Sequence, residues 1–263
     1  MNKFAIFFLV SVCSLSSFEV LADQSEIDFR TAVSMGLDVL SSDEGDAAAS
    51  TRLGERYYFG VGVPRDLEEA VHWYRLGAEQ GHAGAQYNLG LMHYNGEGVV
   101  HDYQEAVKWF RMSAEQGNAH AQHNLGHMYE SGKGVIQDFE EAVKWYRLAA
   151  EQGLAPAQSN LGLFLADGKG VTQDFQEAVK WYRRSAAQGH TEAQNNLGLM
   201  YANGWGVIQN QVLAHMWFNI AASQGASGAV QNRDLATSRM TPQQIAEAQQ
   251  LARECLGRNL QDC

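Results

Sequence analysis

The stretch AHAQHNLGHMYESGKGVIQDFEEAVKWYRLAAEQG, residues 119–153, decides the fold because close copies of it recur along the chain. Its tryptophan belongs to a series at intervals of 36 residues, formed by Trp73, Trp109, Trp145, Trp181 and Trp217. The motifs Ala-Gln-x-Asn-Leu-Gly, Gly-x-Gly-Val and Gln-Gly keep the same interval. A period of roughly 20–50 residues is typical of stacked units, each of which buries an apolar face against the next. The sequence therefore predicts a repeat protein.

Each repeat is predicted to contain two helices. In residues 119–131, the apolar Ala121, Leu125 and Met128 follow one another at steps of three and four, the pattern of an amphipathic helix. A second helix is predicted to begin at Asp138, where Glu141 three residues later completes a capping-box pattern. Because this aspartate–glutamate pair recurs in other repeats, we interpret the carboxylates as helix caps and not as an acid/base catalyst.

Glycine and tryptophan are expected to organise the packing of each repeat. Gly126 lacks a side chain, which lets a neighbouring helix approach closely. Both glycines of Gly-x-Gly-Val, here Gly132 and Gly134, are interpreted as helix terminators, because glycine adopts the left-handed conformation found at helix ends. Trp145 and its four counterparts are expected to be buried, so truncation of one of them to alanine should cost roughly 3–5 kcal/mol.

These motifs resemble the Sel-one-like repeat family, a branch of the tetratricopeptide-related α/α solenoids. The resemblance covers residues 46–225 as five units. It implies an all-α fold, a right-handed α/α superhelical solenoid whose first helices line a concave surface. It also implies adaptor roles in protein complexes, often in bacterial envelopes, secretion or host contact. One subgroup has a disulfide in each repeat and is linked to β-lactam or peptidoglycan binding, but the repeats of this chain contain no cysteine.

The two ends of the chain depart from the repeat. Residues 1–22 have a basic start, an apolar run too short to span a bilayer and a small-residue end, and they are interpreted as a signal peptide. Residues 23–45 are predicted to form an N-terminal capping helix. Residues 226–263 are predicted to contain a degenerate first helix and a C-terminal capping helix that opens at Thr241, since the ends of a solenoid need polar lids. The expected location is therefore the periplasm or the outside of the cell.

Charge, cysteine content and motifs argue against several classes of function. The formal net charge of −11 disfavours nucleic acid, whose binding requires clustered lysine and arginine. After residue 22, no segment of the sequence is apolar enough to suggest a membrane span. The sequence has no nucleophile elbow, zinc-protease motif or dinucleotide fingerprint, so we expect no catalytic residue, cofactor or metal. We also expect a monomer. Cys255 and Cys263 form either a disulfide or two free thiols.

The candidate binding residues lie on the first helices, about two positions away from the apolar core residues. They vary between repeats whereas the framework does not, which is typical of a binding surface on a constant scaffold. They are Tyr87, Leu91, Tyr94, His120, His123, His127, Glu130, Ser159, Leu163, Asn195 and Leu199. The three leucines either form an apolar groove for a peptide or helix of a partner, or pack against the next repeat.

Two further features have alternative interpretations. His120, His123 and His127 share one side of a helix at a spacing that can ligate zinc, but one straight helix rarely supplies three ligands. A pH-sensitive polar patch is favoured, with partner affinity changing between about pH 5.5 and 7.5. Trp205, which lies outside the regular tryptophan series, is either an exposed binding anchor or a residue packed onto the C-terminal cap.

The sequence therefore predicts an exported scaffold or adaptor that binds a protein or peptide on the concave face of a repeat solenoid. The alternative is a cell-wall or β-lactam-binding envelope protein with weak hydrolase activity, by analogy with the cysteine-rich subgroup. Turnover of a chromogenic β-lactam would separate the two functions.

Overall fold

The computed structural model describes residues 46–226, 228–260 and 263, and this part of the chain consists of helices without a strand. The helices are α1 (Ala47–Phe59), α2 (Leu67–Glu79), α3 (Ala83–Asn95), α4 (Tyr103–Glu115), α5 (Ala119–Ser131), α6 (Phe139–Glu151), α7 (Ala155–Asp167), α8 (Phe175–Ala187), α9 (Thr191–Asn203), α10 (Gln211–Ser223), α11 (Ala229–Thr237) and α12 (Pro242–Gly257). From α1 to α10, each helix packs against the next one, so five helix pairs stack into a solenoid. The predicted signal peptide and N-terminal capping helix lie outside the described residues.

The centre of each repeat is an aromatic ring packed onto a glycine. Tyr146 of α6 is 0% exposed, and a Cβ atom added to Gly126 of α5 would lie 2.9 Å from its Cδ1 atom. The same contact recurs between Gly54 and Tyr74, Gly90 and Phe110, Gly162 and Tyr182, and Gly198 and Phe218. The close approach predicted at Gly126 is therefore confirmed, and its partner is the residue that follows the tryptophan.

The tryptophan rings are less uniformly buried than predicted. Trp109, Trp181 and Trp217 are buried, whereas Trp73 and Trp145 are half-buried, so the prediction is wrong for two of the five rings. Trp145 packs at the edge of an apolar cluster formed by α4 of the preceding repeat and α5 of its own repeat. The position after the tryptophan lies deeper in the repeat, because its ring sits directly on the glycine of the first helix.

The two glycines of Gly-x-Gly-Val have different roles. Gly132 caps the end of α5 with a φ of +68°, as predicted for a helix terminator. Gly134 also has a positive φ, +69°, but a Cβ atom added there would lie 2.3 Å from the carbonyl oxygen of Tyr103, at the start of α4 in the preceding repeat. Helix termination therefore does not explain the motif fully, because its second glycine lets neighbouring repeats touch.

A ladder of glutamine pairs, one member of each pair being buried, joins each repeat to the preceding one. Gln122 in α5 donates from Nε2 to the carbonyl oxygen of Ala114 in α4 (3.1 Å) and accepts through Oε1 from Gln152 Nε2 (2.7 Å). Equivalent bonds are made by Gln86 with Gln116, Gln158 with Gln188, and Gln194 with Gln224. An unpaired buried amide costs about 1–3 kcal/mol, so these mutual bonds explain why the Ala-Gln and Gln-Gly motifs recur together.

Capping bonds define the helix ends. Asp138 accepts a hydrogen bond from the backbone amide of Glu141 (3.0 Å), as predicted, but the Glu141 carboxylate pairs with Lys144 (2.6 Å). At this helix, the half of the predicted capping box that forms is the bond from the Glu141 amide to Asp138. A complete capping box joins Thr241 and Gln244 at the start of α12.

The C-terminal helix covers the last repeat. α12 packs on α10 through its buried residues Ala248, Ala252 and Cys255. Of the two alternatives for the cysteines, the structure contains the disulfide, which links Cys255 to Cys263 with Cα atoms 5.6 Å apart. None of the helices in the described ranges is long and apolar enough to cross a bilayer.

Candidate binding surface

The first helices of three neighbouring repeats, α5, α7 and α9, share one cavity of about 570 Å³. Its lining includes His123 of α5, Leu163 of α7, Asn195 of α9 and Gly228, next to the start of α11. Because residues of α5, α7 and α9 and the residue before α11 all line one cavity, we infer that this side of the solenoid curves inward. We call this side, formed by α1, α3, α5, α7, α9 and α11, the concave face.

All but one of the predicted binding residues are at least partly exposed. Ser159 is the exception, since its exposed fraction is only 4%, although it contributes to the lining of the large cavity. His123, Ser159, Leu163 and Asn195 meet in that cavity. The other predicted residues are spread along the concave face and do not form a single site.

Three smaller grooves between neighbouring first helices share one plan. The N-terminal socket, of about 410 Å³, is lined by Glu55, Tyr58, Phe59, Tyr74, Asn88, Leu91, Met92, Asn95 and Glu97. The middle socket, of about 170 Å³, is lined by Leu91, Tyr94, Asn95, Phe110, Asn124, His127 and Met128. The C-terminal socket, of about 430 Å³, is lined by Leu163, Ala166, Asp167, Gln173, Phe175, Tyr182, Asn196, Leu199, Met200 and Trp205. In each socket, the buried aromatic of a second helix, the asparagine of Ala-Gln-x-Asn-Leu-Gly and a methionine (Met92, Met128 or Met200) are constant, and other lining residues vary.

The asparagine of this motif is a surface residue that the sequence patterns did not identify. Asn160 contacts His123 (Nδ2 to Nε2, 3.2 Å), and Asn232 donates to Asn195 Oδ1 (2.9 Å), in both cases across neighbouring first helices. Asn160 and Asn196 also line the large cavity. The signal in the sequence is a polar residue that recurs among the apolar positions of the motif.

The C-terminal socket is the most apolar part of this face. Leu163 is 40% exposed and Trp205 is 45% exposed, while Leu199 is half-buried against the core. The Trp205 indole stacks on the Phe175 ring, with centroids 5.7 Å apart and planes at 14°. Trp205 is therefore exposed next to a groove, as the first of its two interpretations expects. Leu199 both lines the groove and packs against the core, whereas Leu163 lines the groove with an exposed side chain.

The clustered histidines have different partners. His123 packs beside the Tyr146 ring, with centroids 5.6 Å apart, and contacts Asn160, whereas His127 Nδ1 lies 3.7 Å from the carboxylate of Glu130. Within the described residues, no three His, Cys, Asp or Glu side chains are placed to hold a metal ion. The pH dependence of partner binding proposed for this cluster stays a prediction.

The helix pairs correspond one by one to a known repeat. The family model of the Sel1 repeat matches residues 47–82, 83–118, 119–154, 155–190 and 191–225, and each matched unit contains one pair of helices. The chain belongs to the Sel1 repeat family. This is the Sel-one-like family that the motifs resemble, and Sel1 repeat proteins are generally scaffolds for protein interactions.

Two solved structures are similar to these Sel1 repeats. A protective antigen of uropathogenic Escherichia coli with an SLR fold is 37% identical, with a TM-score of 0.75, over 85% of this chain and 48% of that one. A Sel1 repeat protein from Oxalobacter formigenes is 34% identical, with a TM-score of 0.70, over 80% and 88% of the two chains. The chain thus spans about half the length of the E. coli antigen. None of the curated proteins compared with the chain matches it.

Buried histidines should make the stability of the Sel1 repeats sensitive to mild acid. Burial lowers the pKa of four histidines, His93, His123, His190 and His215. Below about pH 6.5 the unfolded chain therefore binds more protons than the folded chain. The free energy of unfolding should be largest above that pH and decline as the pH falls through the lowered values, which urea denaturation at about pH 7.5, 6.5 and 5.5 can measure.

The variant His93→Tyr provides a matched control for this pH dependence. Tyrosine occupies the equivalent place in other repeats, where Tyr201 accepts a hydrogen bond from Arg183 (2.7 Å). Arg75 lies near His93 and contributes, after burial, to its lowered pKa. The variant should lose less stability than the wild type between about pH 7.5 and 5.5. A wild-type free energy of unfolding that stays constant or rises as the pH falls would contradict the lowered pKa values of these histidines.

Proposed function

We propose that this protein is an exported, non-enzymatic scaffold that binds an extended segment of a protein partner along the concave face. The observation that carries the proposal is the separation between constant and variable parts of the sockets. The constant residues, such as Tyr182 and Asn196, build the groove, while the variable residues Leu163, Leu199 and Trp205 line its accessible surface. An exposed tryptophan beside an apolar groove is a typical anchor for a partner side chain.

The rigid packing beneath the sockets supports this function. Because the aromatic–glycine contacts and the glutamine ladder hold the first helices in place, little ordering is needed when a partner binds. Asparagine side chains offer both a donor and an acceptor, which matches the donors and acceptors of a peptide backbone. Asn160, Asn195 and Asn196 provide such groups in the large cavity. The face is therefore suited to an extended peptide.

Export is proposed on two grounds. The pattern of residues 1–22 is that of a signal peptide, and the disulfide between Cys255 and Cys263 fits an oxidising compartment such as the periplasm or the extracellular space. The similar E. coli protein is described as a protective antigen, which is consistent with contact outside the cell. We therefore propose that the partner is an envelope protein or a protein met outside the cell.

Removal of the apolar side chains of the C-terminal socket should strongly weaken partner binding. Peptides of about twelve residues would be selected by phage display on the purified wild-type protein, and their affinity measured by fluorescence polarisation. The double variant Leu163→Ser and Trp205→Ser should bind the selected peptides about tenfold more weakly or worse, because anchor residues carry most of the binding energy. Both side chains are substantially exposed, so the solenoid should remain folded.

The matched control changes two exposed apolar residues outside the sockets. Leu148 and Ile136 are 44% and 90% exposed. The variant Leu148→Ser and Ile136→Ser removes a similar amount of exposed apolar surface and should bind the peptides as the wild type does. Equal loss in both double variants, or none in the socket variant, would refute the assignment of the binding face.

A further inference from the structure

The N-terminal socket differs from the other sockets in its charge. Glu55 and Glu97 both line it, and among the described residues that line it none is basic. The equivalent positions of the C-terminal socket are the apolar Leu163 and Trp205. One framework therefore presents two carboxylates at one end of the concave face and apolar side chains near the other.

The two carboxylates line the same groove as two tyrosine rings, and one of them is hydrogen-bonded to a ring hydroxyl. The Tyr58 hydroxyl donates a hydrogen bond to Glu97 Oε2 (3.0 Å), and this bond raises the pKa of Tyr58. Glu55 lines the same groove as the Tyr74 ring, and the pKa of Tyr74 is raised by burial and, second to it, by the Glu55 carboxylate. The socket thus combines two acidic groups with the rings of Tyr58 and Tyr74 in a groove of about 410 Å³.

We propose that the N-terminal socket binds a cationic side chain, arginine in preference to lysine, of the segment that lies on the concave face. This inference rests on the proposed function, which it extends by naming the chemistry of one anchor of the partner. Carboxylates pair with a guanidinium through two parallel hydrogen bonds, and aromatic faces attract the same cation. Arginine fits better because its planar group suits both contacts.

Two further observations favour a cation over an apolar side chain in this socket. Arg65, which does not line the socket, already places its guanidinium carbon 5.9 Å from the centroid of the Tyr58 ring. The net charge of −11 also attracts basic partners to the protein as a whole. The cation binds at Glu55 and Glu97 and not diffusely over the acidic surface.

The experiment is a titration of isotope-labelled protein with N-acetyl-arginine methylamide, followed by amide chemical shifts. N-acetyl-citrulline methylamide, which has nearly the same shape without the charge, is the reference probe. Saturable shifts should concentrate at residues 55–59, 74, 88 and 97, and the citrulline probe should produce none. The variant Glu55→Gln with Glu97→Gln should weaken arginine binding at least about fivefold, because it removes the two charge-assisted contacts.

The control is Glu79→Gln with Glu115→Gln, which changes the net charge equally at two exposed positions outside the socket. This control variant should bind arginine within about twofold of the wild type. Chemical-shift changes scattered over the acidic surface, or equal effects of the two double variants, would overturn the proposal. Circular dichroism verifies that both variants are folded. Because the titration uses no partner, a negative result would leave the peptide-binding test at Leu163 and Trp205 unaffected.

Discussion

Gly134→Ala should lower the free energy of unfolding by about 3 kcal/mol or more, although it adds a single methyl group. The added Cβ atom would lie 2.3 Å from the carbonyl oxygen of Tyr103 in the preceding repeat, and the backbone at this position has a φ of +69°. A backbone carbonyl at the start of a helix cannot move aside as a flexible side chain can. The repeats must therefore separate or the turn must distort, and urea denaturation would measure the loss.

Gly153→Ala is a control that measures the cost of backbone strain without a contact between repeats. Gly153 has a φ of +94°, but no atom lies within 4 Å of an added Cβ atom. Its substitution should cost about 1–2 kcal/mol, the penalty of a strained conformation alone. Equal losses for the two variants would show that the second glycine of Gly-x-Gly-Val acts only as a helix terminator.

Tyr146→Ala should destabilise the protein by about 3–5 kcal/mol, more than Trp145→Ala. The Tyr146 ring is fully buried and fills the space above Gly126, whereas the neighbouring indole is half-buried. Truncation of the tyrosine therefore leaves a closed cavity at the centre of a repeat. Urea denaturation of the two variants under the same conditions gives the comparison.

Tyr146→Phe isolates the contribution of the ring. The Tyr146 hydroxyl donates to Glu130 Oε2, so the phenylalanine variant loses that hydrogen bond and keeps the packing. It should cost only about 1 kcal/mol. If truncation of Trp145 proved more costly than truncation of Tyr146, the tryptophan, and not its neighbour, would be the main internal contact of the repeat.

The period of the sequence predicted the helices well, because their ends depend on local signals. Apolar spacing predicted residues 119–131 as a helix, and α5 has these bounds. Asp138 caps the next helix and Gly132 ends the previous one, since a capping side chain and a left-handed glycine act within one turn. Local chemistry of this kind is visible in a single repeat.

Contacts between residues far apart in the chain could not be predicted from the sequence in the same way. Recurrence shows that Gly134 and Gln122 are constrained, but it does not show that one approaches a carbonyl of the preceding repeat and the other bonds to Gln152. Both constraints come from residues about 30 positions away in the chain. Such pairings depend on how the helices stack, which the motifs alone do not specify.

The candidate site was predicted in part. The variable positions of the first helices include Leu163, which lines both the large cavity and the C-terminal socket. Dividing each first helix into a core side and a concave side places Ser159 on the surface. Its side chain is only 4% exposed, because tightly packed helices bury more than half of their circumference. This division also omits Asn160, which belongs to a constant motif. Trp205 lies on a turn and is identified as a possible anchor only because it falls outside the regular tryptophan series.

The most direct test of partner binding on the concave face is photo-crosslinking of a selected peptide. p-Benzoylphenylalanine would replace Leu163 in the C-terminal socket or, in a matched protein, the exposed Lys180 of α8. Crosslinks at position 163 and none at position 180 are expected if the peptide lies in the groove. Efficient crosslinking at position 180 with none at position 163 would show that the partner binds the second helices, and the proposed binding face would be wrong.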